Sequence, residues 1–333
     1  MFRMIQRMFI NQNSRLRSAI AERLASICYW SFLWDALLNF ISPLKLYCPP
    51  GTIQGISRIR LRWQFSGKLR IKPGNVIKFQ DVEAVSRRNP LPVDVRLLGV
   101  GNRLVFKGKL NSMPHQLIVT GKDNLIDIGS NFRCSAHNLS WYLSGNANAI
   151  RIGSDVKMEH NPMHSDGLQF IRMTGENCSV SVGDRTRAML LIEAEPGSPR
   201  NFSLNIGSDS AIARLYVVMA SSCKMEIGEG FFCSWDCYFW CSAHALLDKE
   251  GELLNDCKTI SIGKNVWFGH GIEVPGEIRV ADGCIIGSGV TLVNNVPKPG
   301  SIVTVAPAKV YPVNVKWVRE SPVMVQNGMS WRF

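Results

Sequence analysis

Apolar residues recur with a strict six-residue period between positions 260 and 292, and this feature constrains the fold of the chain more than any other. One set of apolar residues that stand six positions apart consists of Ile262, Phe268, Val274, Val280, Ile286 and Leu292. A second apolar residue stands two positions before each member of this set. Because 46% of the residues are hydrophobic, twelve apolar residues in a fixed phase would arise by chance on the order of once in 10,000. Six residues make one short strand and one corner, and three such units make a coil. The period therefore predicts a three-sided parallel β-helix whose paired apolar side chains fill the interior.

A looser repeat of the form apolar-x-Ile/Val-Gly runs through the preceding part of the chain. Its six copies, which lie between 21 and 35 residues apart, begin at Ile126, Ile150, Val180, Leu204, Met225 and Ile260. This spacing is typical of a solenoid in which each copy starts a coil and loops of different length are inserted. We interpret Gly263, Gly269 and Gly287, which follow apolar positions of the strict period, as residues that give a tight corner a permissive backbone.

Residues 48–120 contain strand-like segments separated by Gly, Pro and Asn, without a helical period. The clearest of them are 56–65, whose apolar and basic side chains alternate, and 69–71, 76–79, 104–106 and 117–119. We therefore predict a β-rich extension or early coils over 48–120, the β-helix over 121–310 and a C-terminal tail over 311–333.

The first 72 residues carry twelve Lys and Arg side chains against Glu22 and Asp35, whereas the rest of the chain has a net charge of only +2. Within this region, residues 24–41 are mostly apolar and aromatic, which predicts a helix that Pro43 ends. We treat residues 1–47 as a helical arm. Its apolar run is short for a bilayer span and contains Asp35. The arm is therefore expected to lie on a surface: the inner face of the cytoplasmic membrane, the body of the protein or an oligomer partner.

Charge and cysteine usage narrow the class of protein. Because the basic charge is confined to the N-terminus, a nucleic-acid-binding protein with a basic folded face is not expected. The ten cysteines include no CxxC pair, and Cys233, Cys237 and Cys241 lie among aromatic residues, so we interpret them as buried thiols. Free cysteines without a secretory signal at the start indicate a reducing compartment, and hence a cytoplasmic protein.

The strict repeat also carries a recognisable signature. Its parts are GKNVWFGHG at 263–271, VADGCIIGSG at 280–289, NVP at 295–297, and the segment from 301 to 310 that contains Ala306, Pro307 and Lys309. They resemble the C-terminal signature of hexapeptide-repeat acyltransferases, in particular galactoside acetyltransferases and O-acetyltransferases of bacterial capsule, polysialic acid and O-antigen. The resemblance is strong over 225–312, weak over 125–225 and absent over 1–120. It implies a left-handed parallel β-helix, a homotrimer and acetyl-CoA bound in the groove between neighbouring helices.

Transfer of an acetyl group to a sugar hydroxyl requires a base that titrates near neutrality, and histidine meets that requirement. The resemblance selects His244, which precedes the signature strand, and we rank His137 and His270 after it. It also places Trp267 beside the acetyl donor, through its indole or its backbone N–H, and Gly269, Gly287 and Gly289 along the pantetheine. The usual threonine-lysine pair is replaced by Val293 and Asn294. We therefore name Lys298 and Lys309 as candidate ligands of the CoA 3′-phosphate.

The sequence thus predicts an acetyl-CoA-dependent O-acetyltransferase that modifies a bacterial surface polysaccharide (capsule, O-antigen or exopolysaccharide) or its lipid-linked precursor. It would be a cytoplasmic homotrimer without a metal, with or without contact to the inner face of the membrane. Two alternatives remain open. One is a non-catalytic β-helix scaffold or binding module, and the other is a carbonic-anhydrase-like protein whose zinc is bound by His160, His164 and His270.

Overall fold

The computed structural model describes residues 38–39, 42, 44–49, 51–56, 65–82, 91–134, 139–158, 169–194, 199–219, 222–241, 259–304 and 309–312. These residues contain 27 strands, and all pairings between strands are parallel except the last. Up to β25, successive strands along the chain do not pair with each other but with the equivalent strand one coil later, whereas the last three strands pair in sequence. This arrangement is the predicted three-sided parallel β-helix, in which each coil passes through three faces.

Face 1 is a sheet of ten strands. They are β2 (Ile53–Gln54), β4 (Val76–Gln80), β6 (Arg103–Lys107), β8 (Leu125–Ile128), β11 (Ala149–Ile152), β14 (Ser179–Val182), β16 (Ser203–Ile206), β18 (Lys224–Ile227), β21 (Thr259–Ile262) and β24 (Ile278–Val280).

Face 2 follows face 1 along the chain and is built mainly from two-residue strands. They are β9 (Arg133–Cys134), β12 (Lys157–Met158), β19 (Phe232–Cys233), β22 (Trp267–Phe268), β25 (Ile285–Ile286) and β26 (Ser301–Thr304). The last strand, β27 (Lys309–Pro312), pairs antiparallel with β26. It therefore extends across the boundary that the sequence placed between the β-helix and the tail.

Face 3 completes each coil. Its strands are β1 (Leu44–Tyr47), β3 (Phe65–Ile71), β5 (Leu91–Leu97), β7 (Gln116–Val119), β10 (Leu139–Asn146), β13 (Gln169–Glu176), β20 (Cys237–Trp240) and β23 (Glu273–Val274). Two longer strands, β15 (Arg187–Ala194) and β17 (Ala211–Met219), bend across faces 2 and 3 and join them into one sheet.

The interior is filled as the six-residue period predicts. All twelve residues of the strict period are buried, with no more than 4% exposure each. The paired apolar residues of all six looser copies are buried as well. Where the coil is minimal it contains eighteen residues, as between Ile260 and Ile278 on face 1, which pair in register.

The glycines that end the repeat have a different role from the one expected. Gly263, Gly269 and Gly287 do not adopt a left-handed conformation. A β-carbon added to Gly263 would lie 2.6 Å from the backbone nitrogen of Asp282, and one added to Gly269 would lie 2.7 Å from that of Ser288. Glycine is needed here because the next coil passes too close for a side chain.

The left-handed conformation occurs two residues after the glycine that closes each looser copy, at the corner between faces 1 and 2. The residues there have φ between 52° and 74° and are Asn131, Asp155, Arg185, Asp209, Gly230 and Asn265. Asn, Asp and Gly predominate at this position because they tolerate positive φ better than other residues.

The coils extend well upstream of the repeat found in the sequence. The predicted strand segments 69–71, 76–79, 104–106 and 117–119 lie in β3, β4, β6 and β7, which stack in register with the later coils. A row of buried asparagines at the corner between faces 3 and 1 joins these early coils, and it consists of Asn75, Asn102, Asn124 and Asn148. Each side-chain oxygen accepts the backbone N–H of the equivalent residue in the next coil, at 2.9 to 3.0 Å.

The described coils begin at Leu44, directly after Pro43. Residues Leu44–Tyr47 were assigned to the end of the helical arm, but they form strand β1 and pair with β3. Most of the predicted arm, and residues 57–64 of the strand predicted at 56–65, lie outside the described residues. Within the described ranges, no helix has the length and hydropathy needed to cross a bilayer.

Candidate functional site

Trp267 lies on the outer surface of face 2. In β22 the side chain of Phe268 points into the core, so the neighbouring Trp267 points outward, with 36% exposure. Its indole contacts the ring of Phe232 edge-on, with 6.2 Å between ring centroids. The outer row continues in register from Trp267 to Ile285 and Ile302. These four residues, Phe232, Trp267, Ile285 and Ile302, are called the apolar strip below.

The backbone N–H groups around Trp267 are used within the β-helix. The Trp267 N–H donates to the carbonyl of Cys284 at 2.9 Å, and the Gly269 N–H donates to the carbonyl of Ile286 at 2.8 Å. The Gly287 N–H donates to the carbonyl of Val303, also at 2.8 Å. The backbone N–H of Trp267, one of the two donors that the resemblance suggested there, is therefore unavailable for an oxyanion.

Of the glycines assigned to the pantetheine site, Gly269 lies on the coil of Trp267, and Gly287 and Gly289 lie on the following coil. A β-carbon at Gly287 would lie 3.0 Å from the carbonyl oxygen of Val303, whereas Gly289 has a φ of 74°. Each therefore has a structural reason to be glycine. Their contact with pantetheine stays a prediction.

His270 is the described histidine nearest to Trp267 in the sequence. It is exposed at the corner between faces 2 and 3, and its backbone N–H donates to Ser288 Oγ at 3.1 Å. The other described histidine, His115, is exposed in an early coil, far along the chain from the signature. The remaining four, His137, His160, His164 and His244, lie outside the described residues.

The strands that flank His244 are described. Strand β20 belongs to face 3 and β21 belongs to face 1, so the two described residues that flank the segment 242–258, Cys241 and Thr259, lie at the corner between these two faces. Trp267 belongs to face 2, on the opposite side of the coil. The fold of one chain therefore does not place the attachment points of this segment beside Trp267.

The two candidate phosphate ligands lie near the C-terminal end of the β-helix. Lys298 is exposed at the turn before β26, where its carbonyl accepts the Ser301 hydroxyl at 2.7 Å. Lys309 begins β27, and its backbone pairs with Thr304. Within the described ranges, no group of three His, Cys, Asp or Glu side chains could hold a metal ion.

The cysteines of the aromatic segment are core residues, as predicted. Cys233, Cys237 and Cys241 are buried thiols. Burial raises the pKa of Cys233 well above its usual value, while a hydrogen bond with Cys233 lowers the pKa of Cys237. Because their side chains lie inside the β-helix, these thiols cannot reach a substrate on its surface.

An outward-facing aromatic cluster escaped the sequence analysis. Tyr238 and Trp240 alternate with the buried Cys237 and Phe239 along β20, and so they point away from the core. Together with Tyr216 of β17 they form three contacts with ring centroids 5.8 to 6.1 Å apart. The period-two alternation within the segment was the signal that could have separated these rings from the core. The cluster ends immediately before the segment that contains His244.

No protein-family model matches the chain, and no curated protein sequence matches it. Solved structures that are similar to it include two acetyltransferases. The crystal structure of the polySia-specific acetyltransferase NeuO is 22% identical, covers 69% of this chain and 84% of its own, and has a TM-score of 0.49. The polysialic acid O-acetyltransferase OatWY is 17% identical, covers 76% of this chain and 99% of its own, and has a TM-score of 0.38.

Proposed function

We propose that the chain is an acetyl-CoA-dependent O-acetyltransferase that acts on a hydroxyl of a bacterial surface polysaccharide or of its lipid-linked precursor. The observation that carries the proposal is the half-exposed Trp267, which stands on the apolar strip within the signature at 263–271. An isolated solenoid scaffold has no need of an indole exposed on an apolar surface. The strip is suited to hold the apolar arm of a thioester donor.

The chemistry follows from what the transfer requires. His244 removes the proton from the acceptor hydroxyl as its oxygen attacks the thioester carbonyl. The carbonyl oxygen then carries a negative charge, and the Trp267 indole N–H is the donor that we assign to it. When the tetrahedral intermediate collapses, the carbon–sulfur bond breaks, CoA leaves as its thiolate and takes up a proton, and the acetyl group remains as an ester on the sugar.

We propose that the site is completed between copies of the chain in a homotrimer. Trp267 lies on face 2, while the segment that contains His244 is attached between faces 3 and 1. If face 2 of one copy packs beside the corner of another, Trp267 of the first copy and the described residues that flank the His244 segment of the second come together without any rearrangement of either β-helix. The same packing would cover the apolar strip.

The test is His244→Ala, with His115→Ala as the matched control because His115 is exposed in an early coil. Release of CoA thiol from acetyl-CoA is measured with a panel of acidic and neutral oligosaccharides, and CoA binding is measured by calorimetry. We expect kcat/KM for His244→Ala to fall by roughly 100-fold to 10,000-fold with CoA binding unchanged, which is the range for loss of a general base.

Two results would contradict the assignment. If His244→Ala keeps more than about a tenth of kcat/KM, a loss below ~1.4 kcal/mol, His244 is not the base, and His270 and His137 are tested next. If the wild-type protein releases no thiol with any acceptor and does not bind CoA, the proposed function itself is wrong.

A further inference from the structure

Three cations occupy consecutive positions on the outer surface of face 2. Lys157 pairs in register with Arg133 on one side and with Arg187 on the other. Neighbouring strands are about 4.8 Å apart, so this cation row extends over roughly 10 Å parallel to the helix axis. Like charges directly opposite each other in adjacent strands destabilise a sheet. The row is therefore unfavourable for the fold alone.

Carboxylates do not compensate the cation row within the described ranges, because Arg133, Lys157 and Arg187 form no ion pair there. Some cations elsewhere on the described β-helix have a partner one coil away. Lys107 pairs with Asp127 on face 1, with an N–O distance of 2.7 Å, and Arg185 pairs with Asp209 at the corner, also at 2.7 Å. Ion pairs between neighbouring coils are thus possible in this fold, but the three cations of the row do not form them within the described ranges.

The cation row leads directly to the candidate site. The same outer row continues in register from Arg187 to Ala211, then to Phe232 and Trp267. Three strand spacings separate Arg187 from Trp267, which amounts to roughly 14 Å along the face. Because the side chain of Ala211 is small, it does not obstruct the surface between the cations and the aromatic residues.

We propose that Arg133, Lys157 and Arg187 form an acceptor track that binds a linear polyanionic glycan along face 2 and directs it towards Trp267. The inference rests on the proposed function and adds the substrate class to it, an acceptor with acidic sugars in sequence. A single file of cations, one from each coil, matches one extended chain whose charges repeat along its length. A lipid surface or a nucleic acid would call for a broader basic surface, and the chain beyond residue 72 has a net charge of only +2.

Binding is tested without acetyl-CoA. The double variant Lys157→Gln/Arg187→Gln is compared with wild type and with Arg151→Gln, which removes an exposed cation from face 1 instead. The probes are oligosialate and oligogalacturonate, with a neutral malto-oligosaccharide of equal length as reference, over a series of salt concentrations. We expect the double variant to bind the better acidic probe on the order of tenfold more weakly and with a smaller salt dependence, while Arg151→Gln binds as wild type does.

A second measurement keeps the proposal open to refutation should binding be weak. Because the row is a stack of like charges, the double variant is expected to unfold at a higher urea concentration than wild type, and loss of affinity with gain of stability is typical of a binding site. A variant that is less stable, or that binds the acidic probes as tightly as wild type, overturns the acceptor track. The acceptor track is also overturned if wild type binds duplex DNA or anionic vesicles more tightly than the acidic probes and the double variant loses that binding.

The outcomes also separate this inference from the proposed function. Acetyl transfer to acidic acceptors that is as efficient in the double variant as in wild type would refute the acceptor track and leave the O-acetyltransferase in place. If wild type binds an acidic glycan and the double variant does not, but no acceptor causes release of CoA thiol from acetyl-CoA, the acceptor track is supported and the proposed activity is refuted.

Discussion

Replacing Gly183 by alanine tests how closely the coils are stacked. Gly183 closes one copy of the repeat and has no left-handed φ. A β-carbon added there would lie 2.4 Å from the backbone nitrogen of Ser208 and 2.8 Å from the carbonyl carbon of Gly207. Both contacts are with backbone atoms of the next coil. Relief therefore requires the coils to move apart, since a rotation of a side chain would not be enough.

The magnitude follows from this geometry. A normal contact needs the coils to separate by about 1 Å at this corner. The two nearby hydrogen bonds between coils, from the Gly183 N–H to the Ile206 carbonyl and from the Asp209 N–H to the Asp184 carbonyl, are 2.8 and 2.9 Å long and would be lost. With about 1 kcal/mol for each bond and 1–3 kcal/mol for overpacking, we expect the free energy of unfolding to fall by about 3–5 kcal/mol.

Two further variants make the measurement specific. Gly276→Ala is the matched control because a β-carbon there has nothing within 4 Å and φ is not left-handed, so its effect should stay within about 0.5 kcal/mol. Gly289→Ala introduces a β-carbon at a φ of 74°, which costs about 1–2 kcal/mol. Urea denaturation followed by tryptophan fluorescence ranks the three. If Gly183→Ala is as stable as Gly276→Ala, close approach of the coils is not the reason for glycine.

The remaining predictions concern the asparagine row, assembly and the N-terminal arm. Asn124→Ala removes hydrogen bonds to the Thr120 and Gly145 carbonyls and from the Asn148 N–H, each 2.9 Å long, and should lower the free energy of unfolding by about 2–4 kcal/mol in urea denaturation. An equal loss in the exposed Asn146→Ala would contradict this. Light scattering at micromolar concentration should give a homotrimer, and a monomer would refute the shared site. Deleting residues 1–37, which spares β1, the buried Leu38 and the hydrogen bonds between Asn39 and Leu46, should abolish sedimentation with acidic liposomes while activity on soluble oligosaccharides is retained, since each surface-near arginine contributes roughly 1 kcal/mol. Aggregation with loss of all activity would make the arm a structural cap.

The sequence determined the interior of the β-helix. Whether a side chain points inward depends on the alternation of a few neighbouring residues, so the period that contains Phe268 and Val274 identified core positions without knowledge of any distant contact. The same local rule would have placed Tyr238 and Trp240 outside, and the asparagine directly before each of the four early strands β4, β6, β8 and β11 would have extended the repeat to Asn75. The predicted handedness of the coils and the predicted role of His244 rest on the family resemblance alone.

The outer rows were decided by the tertiary structure. Arg133, Lys157 and Arg187 are separated by 24 and 30 residues, and so no fixed period in the sequence aligns them. Hydrogen bonds between coils set their register, and loops of unequal length project from the corners without disturbing it. For the same reason, the sequence could not show that Trp267 lies on face 2 while the segment with His244 is attached between faces 3 and 1. A surface site on a solenoid depends on which coils are neighbours, and that relation is a property of the stacked chain.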